Sequence, residues 1–100
     1  MRRTIDIDFY PNKNIQTQHV LENNNIIEII VYHENGNIRN IVPYVDGCIH
    51  GTEKFFDEKG ELSMTIEWVN GELHGYCYAY ENGQIDYVRL YRYNSLIDEW

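Results

Sequence analysis

Glycines recur along this chain at a fixed spacing. All seven fall on repeat positions, with 23 or 24 residues between equivalent ones: Gly36, Gly60 and Gly83, then Gly47 and Gly71, then Gly51 and Gly75. A repeat of this length is typical of an array in which every copy is one supersecondary unit and buries its apolar face against its neighbours. We therefore expect about four repeats of roughly 23–24 residues each.

Each repeat contains two turn motifs that lie about 11–12 residues apart. Dipeptides such as Asn70-Gly71 supply the positive φ angles that type I′ hairpin turns need. Between the turns, apolar Met64 and Ile66 alternate with polar Thr65 and Glu67, the period-two pattern of a strand with one dry face. We predict eight strands joined by short hairpins, at about residues 3–10, 15–21, 26–33, 38–45, 49–56, 62–69, 73–80 and 85–93.

The predicted fold class is all-β, a twisted antiparallel meander of about four β-hairpin repeats in a single curled sheet. We expect residues 1–100 to form one domain, with a degenerate first repeat at about 4–25, clear repeats at about 26–93 and a C-terminal cap at 94–100. A sheet of this size must curl or pair its apolar face with another chain, so we expect a homodimer. Gly51 and Gly75, inside strands, are predicted to let the sheet bend and an aromatic ring lie across bare backbone.

Two segments carry a resemblance to a known family. The runs Phe55-Phe56-Asp57-Glu58-Lys59-Gly60-Glu61-Leu62 and Trp68-Val69-Asn70-Gly71-Glu72-Leu73-His74-Gly75 resemble the bacterial MORN-repeat variant found in YwqK-type toxin–antitoxin antitoxins. The resemblance is clear over about residues 26–100 and weak before them. It implies a non-catalytic binding or inhibitory protein, although the motif itself encodes only turns and packing.

No catalytic or cofactor motif accompanies the repeats. The sequence has no GxSxG, no Walker glycine loop and no HExxH motif, so we expect no enzyme activity. Cys48 and Cys77 lack zinc-ligand spacing, and His50 and His74 are expected to be exposed on neighbouring hairpins, so neither a metal nor another cofactor is predicted. No apolar run is long enough for a membrane span and the start does not resemble a signal peptide, so we predict a cytoplasmic protein.

Charge points to the kind of partner. The net charge is −8, and the segment from Asp46 to Asp86 holds nine carboxylates against Lys54 and Lys59 alone. Such a surface repels phosphate backbones and anionic lipids, so neither direct nucleic-acid binding nor membrane binding is expected, whereas a basic protein such as a toxin or nuclease fits. The hypothesis is that acidic rows and one tyrosine face dock such a partner, through Glu53, Glu58, Glu61, Glu67, Glu72, Tyr76, Tyr78, Tyr80 and Glu81.

Several interpretations of these residues stay open. The predicted function is a non-enzymatic protein-binding inhibitor, antitoxin- or immunity-like. One alternative is a phage-type nucleic-acid mimic that inhibits a defence nuclease, as an anti-CRISPR protein does. Another is a structural, self-associating repeat module. The carboxylates also fit a simply solvated acidic face, and the tyrosines fit ordinary cross-strand packing.

Overall fold

The computed structural model describes residues 2–100, which form eleven β-strands and no helix. The strands are β1 (Arg3–Phe9), β2 (Ile15–Glu22), β3 (Asn25–Tyr32), β4 (Ile38–Val45), β5 (Cys48–Ile49), β6 (Gly51–Phe56), β7 (Leu62–Val69), β8 (Glu72–Leu73), β9 (Gly75–Glu81), β10 (Gln84–Arg92) and β11 (Ser95–Glu99). They lie in the order β1-β2-β3-β4-β6-β7-β9-β10-β11, with β5 against β4 and β8 against β7. Every pairing is antiparallel, which confirms the predicted hairpin meander.

Five of the turns are two-residue turns in which both central residues have positive φ. At Asn70 and Gly71 these angles are 50° and 83°, the signature of a type I′ turn. Asn replaces Gly in the first and last turns of this kind, because its short side chain also tolerates the left-handed region. The five turns are Asn23-Asn24, Asp46-Gly47, Asn70-Gly71, Asn82-Gly83 and Tyr93-Asn94.

The turns at Gly36 and Gly60 are longer. Gly36 donates its N–H to the carbonyl of His33 at 3.0 Å, and His33 donates to the carbonyl of Asn37 at 2.8 Å. In this turn only the glycine has positive φ, at 96°, and the strand register shifts between Val31 and Tyr32. The predicted positive φ is thus confirmed, but Asn35-Gly36 forms a turn with a bulge and not a type I′ turn.

Two predicted strands are each divided by a break at their second residue. The strand expected at 49–56 breaks at His50 and the one expected at 73–80 breaks at His74, immediately before glycines with φ of 114° and 118°. A Cβ built on Gly51 would lie 3.3 Å from Cγ of Pro43, and one on Gly75 would lie 2.6 Å from Oε2 of Glu67. The nearest neighbours of such a Cβ are thus a proline and a carboxylate. Aromatic residues pair opposite both glycines, Trp68 with Gly51 and Tyr91 with Gly75, and the expected packing of a ring across the glycine backbone stays a prediction.

The two faces of the sheet differ in burial. All five buried residues among 2–100 lie on the same face: Asn40, Val42, Glu53, Cys77 and Ala79. Strand pairing places them there, because Asn40 pairs with Phe55 and Met64 with Ala79. The sheet thus curls toward this side, which we call the inner face, and the opposite side is the outer face.

The last residues extend the sheet. Residues 95–99, expected to belong to a C-terminal cap, form the edge strand β11 against β10. Its backbone pairing continues to the end, since the N–H and C=O of Trp100 both bond to Val88, at 2.8 and 3.0 Å. At the other edge, β1 pairs with β2 alone. Both edges of the sheet therefore lie in the degenerate copies of the repeat.

Candidate protein-interaction surface

Three tyrosines form a row on the outer face. Tyr76, Tyr78 and Tyr80 occupy alternate positions of β9, so their side chains project from the same side of the strand. Neighbouring ring centroids are 6.1 and 6.5 Å apart, and the ring of Trp100 continues the row at 6.4 Å from Tyr76. These distances are typical of aromatic contact. We call Tyr76, Tyr78, Tyr80 and Trp100 the tyrosine ladder; the sequence had predicted its three tyrosines but not the tryptophan.

Two of the predicted carboxylates lie close to the tyrosine ladder, but on opposite faces of the sheet. Glu67 is exposed on the outer face of β7, two residues from Thr65, which pairs with Tyr78. Glu81 is exposed at the end of β9, but it follows Tyr80 directly and so projects from the inner face. The fold thus places only the carboxylate of Glu67 on the same face as the ladder, in which Tyr76 and Trp100 are exposed and the other two rings are half-buried.

Three other predicted carboxylates are exposed but lie at the ends of the sheet. Glu58 and Glu61 belong to the turn between β6 and β7, whereas Glu72 follows the Asn70-Gly71 turn at the opposite end. The strands between these turns separate the two groups by the length of the sheet. The expected acidic rows therefore do not merge into one surface.

Glu53 was expected at the partner surface, and the structure corrects this. Its residue is only 7% exposed and its side chain lies on the inner face, where Oε1 accepts a hydrogen bond from the indole N–H of Trp68 at 3.0 Å. Oε2 accepts another from the side-chain amide of Asn40 at 3.1 Å, and Asn40 in turn accepts from Arg39 at 3.3 Å. Glu53 therefore organises the core and is not available to a partner.

Stacking between repeats does occur at the longer turns. Asn12 and Asn14 both donate to the carbonyl of Glu34, at 3.0 and 2.8 Å. One repeat later, Asn35 and Asn37 donate to the carbonyl of Glu58 at 2.7 and 2.8 Å. Equivalent positions thus lie side by side, as the repeat spacing predicts, and the asparagines fasten each turn to the next.

The two repeat histidines also join neighbouring repeats. Nδ1 of His50 accepts the backbone N–H of Asn70 at 3.2 Å, and Nδ1 of His74 accepts that of Tyr93 at 3.4 Å. The ring of His74 contacts the Tyr93 ring, with centroids 4.7 Å apart. Both histidines are half-buried, so the expectation that they are exposed was wrong. Their shared repeat position could have indicated this structural role.

A cavity of about 390 Å³ adjoins the longer turns, and sequence reasoning missed it. Its lining includes one arginine, a glutamate from each of two successive turns and three further polar side chains: Tyr10, His33, Glu34, Asn35, Arg39 and Glu58. Arg39 stands alone in the sequence and gives no pattern that could place it there. Over residues 2–100, His, Cys, Asp and Glu side chains form no group of three or more that could hold a metal ion.

Comparison with known proteins agrees with this geometry. The family model described as MORN repeat variant matches residues 26–46 and 49–70, which hold β3 to β4 and most of β5 to β7. These two segments support the assignment as a MORN-repeat protein, while the YwqK-type antitoxin relationship stays a prediction. A search of the curated proteins gave no significant match.

Two solved structures share the fold. One is described as the glycosylation-associated protein (Gap123) complex from Streptococcus agalactiae, with a TM-score of 0.58 and 21% identity over 88% of this chain. The other is accessory secretory protein 1, 2 and 3 in Streptococcus pneumoniae, with a TM-score of 0.58 and 19% identity over 86% of this chain. This chain spans 17% of the matched chain in each case, so the likeness concerns the hairpin array alone. Within the described residues there is no helix long and apolar enough to cross a membrane.

Proposed function

We propose that this chain, which carries MORN-variant repeats, is a non-enzymatic protein-binding module that docks its tyrosine ladder onto a basic surface of another protein. The observation that supports this most is the row of Tyr76, Tyr78 and Tyr80 on the outer face, beside the exposed carboxylate of Glu67. Tyrosine buries a large area at low entropic cost and is enriched among residues that dominate binding energy. A row fixed on a sheet also needs little ordering when it binds.

Charge supports a basic partner. The chain has a net charge of −8, and Glu67 lies beside the tyrosine ladder on the outer face. An arginine or lysine of the partner can lie over a tyrosine ring and reach a neighbouring carboxylate at the same time. Such a surface attracts its partner over a distance and so raises the association rate.

The finer proposal is that binding inhibits the partner, as an antitoxin or immunity protein inhibits a toxin or nuclease. Both matched solved structures are described with several proteins, which is consistent with a hairpin array used for protein contacts. The nucleic-acid-mimic alternative gains no support from the arrangement of charge. Glu53 is buried on the inner face, Glu67 lies on the outer face and Glu72 lies at one end, so they form no phosphate-like row.

The test compares matched tyrosine variants in partner capture from the native host, followed by binding measurements with the purified partner. The double variant Tyr76→Ser/Tyr80→Ser removes two rings from the outer face. Tyr87→Ser is the control, since Tyr87 pairs with Ala79 and so lies on the inner face. We expect the double variant to bind at least about tenfold more weakly and the control to bind as the wild type does. Equal loss in both variants, or loss in the control alone, would contradict the proposal.

A second pair of variants tests the contribution of the carboxylate beside the tyrosine ladder. Glu67→Lys reverses a charge beside the tyrosine ladder, and Glu72→Lys reverses one at the end of the sheet. We expect only the former to slow association and to flatten its dependence on salt. Activity of the purified partner with and without an equimolar amount of the chain then tests inhibition. Tight binding that leaves the partner fully active would reject the inhibitory role, while the proposal that the chain is a binding module would stand.

A further inference from the structure

The edge strand β1 carries an apolar row that nothing in residues 2–100 covers. Ile5, Ile7 and Phe9 are 53%, 42% and 59% exposed, and all seven residues of the strand are exposed. Ile7 pairs with Gln18, Gln18 with Ile30 and Ile30 with Ile41, which places the row on the outer face, away from the buried core. An apolar edge strand with unpaired backbone N–H and C=O groups can pair with a strand of another chain.

The backbone of β1 shows which groups are free. The carbonyl of Arg2 accepts the N–H of Asn23 at 2.7 Å, so Arg2 faces β2. Because antiparallel strands alternate, the even-numbered residues up to Asp8 also face β2. The N–H and C=O groups of Arg3, Ile5 and Ile7 therefore point to the free edge.

The opposite edge of the sheet is protected and β1 is not. In β11 the register shifts between the partners of Leu90 and Tyr91, and such bulges are a common device against edge pairing. Glu99 at that edge is already bound to Arg89 at 2.9 Å. In β1 the register runs without a shift from Arg3 to Asp8. Of the two sheet edges formed by residues 2–100, β1 is thus the regular one.

We infer that β1 pairs antiparallel with β1 of a second copy of this chain, about a twofold axis that passes through Ile5. In this register Ile5 lies opposite Ile5 of the second copy, and Arg3 lies opposite Ile7. The free N–H and C=O groups of both strands then meet. The alternate pairs, on the inner face, place Arg2 opposite Asp8 and Thr4 opposite Asp6.

Charge selects this register over the next one. The strand has its cations at one end and its carboxylates at the other, so antiparallel self-pairing brings opposite charges together. Arg3 already pairs with Glu22 at 3.2 Å, whereas Arg2 has no ion pair within residues 2–100 and supplies the cation for this contact. Thr17 donates its hydroxyl to Asp8 at 3.1 Å, which holds that carboxylate at the inner face. A register with Ile5 opposite Ile7 would instead place Asp6 opposite Asp6, a like-charge pair.

This pairing would join two curled sheets into one. A twofold axis at the β1 edge runs perpendicular to the sheet, so the outer faces of both copies lie on the same side. The two apolar rows then form one band, and the two tyrosine ladders face the same direction. The inference rests on β1 alone and is independent of what the tyrosine ladder binds.

Sedimentation of the purified chain tests the pairing. We expect the wild type to sediment at about twice its mass of 12.0 kDa. Ile5→Pro removes an N–H that the β1–β2 ladder does not use, so it should give a monomer that keeps the wild-type circular dichroism spectrum. Leu96→Pro is the matched change in the opposite edge strand and should leave the dimer intact.

Charge reversal tests the register. Arg2→Asp and Asp8→Arg should each weaken self-association by about tenfold, since each creates two like-charge contacts per dimer. Mixing the two single variants should restore it, because every contact in the mixed dimer then joins opposite charges. A structural defect in either variant would not be rescued by mixing.

Five results would overturn the inference. Four are a wild-type monomer at the highest soluble concentration, a dimer that survives Ile5→Pro, a dimer that Leu96→Pro abolishes, and a mixture of the charge variants that stays monomeric. Species that keep growing with concentration would also overturn it, since a twofold contact closes at two copies and a head-to-tail contact does not.

Discussion

The indole N–H of Trp68 donates a hydrogen bond to Oε1 of Glu53 across two neighbouring strands, at 3.0 Å. Asn40 donates to the other carboxylate oxygen at 3.1 Å, so both oxygens of this buried group have partners on the inner face. No buried side-chain N or O atom of the described residues is left without a partner. A buried carboxylate is tolerated only with such partners, and here the Glu53 side chain links β6 to both β4 and β7.

Replacing Glu53 should therefore cost stability. Glu53→Ala leaves the donors of Trp68 and Asn40 unpaired in a buried site, and we expect a loss of about 2–4 kcal/mol in the free energy of unfolding. Glu53→Gln keeps one acceptor and should lose about half as much. The measurement is urea denaturation. Glu67→Gln, on the exposed outer face, is the control and should change stability by less than about 0.5 kcal/mol. Equal effects of Glu53→Gln and Glu67→Gln would contradict the buried network.

Replacing Gly75, inside a strand region, should cost more stability than replacing Gly71, in a turn. A Cβ on Gly71 would meet nothing within 4 Å, so Gly71→Ala should cost only the strain of its φ of 83°, about 1 kcal/mol. Gly75 has a φ of 118°, and its Cβ would lie 3.1 Å from Cβ of Glu67. Gly75→Ala should therefore destabilise by about 2–4 kcal/mol. Thermal unfolding of both variants decides the order, and a smaller loss for Gly75→Ala would show that the close approach is not real.

The repeat supplies its own control for the asparagine contacts between turns. Asn37 donates to the carbonyl of Glu58 at 2.8 Å, whereas its counterpart one repeat later is the exposed Glu61. Asn37→Ala should lower the free energy of unfolding by about 1 kcal/mol, the net contribution of one such hydrogen bond. Glu61→Ala should have no measurable effect. Denaturant midpoints of the two variants test this, and equal midpoints would mean that the contact does not stabilise the array.

The two thiols should differ in reactivity. Burial raises the pKa of the Cys77 thiol above its ordinary value, an effect that the nearby positive charge of Arg89 partly offsets, whereas Cys48 is exposed in β5. Because the thiolate is the reactive form, a raised pKa keeps Cys77 protonated and slow to react as pH rises toward 8. Alkylation at fixed pH should modify Cys48 quickly and Cys77 slowly. Cys48→Ser should abolish the fast phase, and a fast phase that persists in this variant would refute the assignment.

The sequence by itself determined the turns and hence the strands. Asn-Gly and Asp-Gly pairs adopt positive φ through the local chemistry of the backbone, whatever the rest of the chain does. All eight predicted strands agree with the structure to within one residue at both ends, although two of them are divided at His50 or His74. The edge strand β11 was not predicted as a strand. The row of Tyr76, Tyr78 and Tyr80 followed from alternation within one strand, which needs no knowledge of its neighbours.

Only the tertiary structure decided which side of each strand is covered. The alternation of Ile5 and Ile7 in β1 looks like that of Met64 and Ile66 in β7, yet the first pair lies exposed on the outer face and the second on the inner face. The reason is register, since one extra residue in a turn or bulge moves every following side chain to the other face. The same register places the Glu53 side chain on the buried inner face. The distribution of charges along the sequence could not have predicted that position.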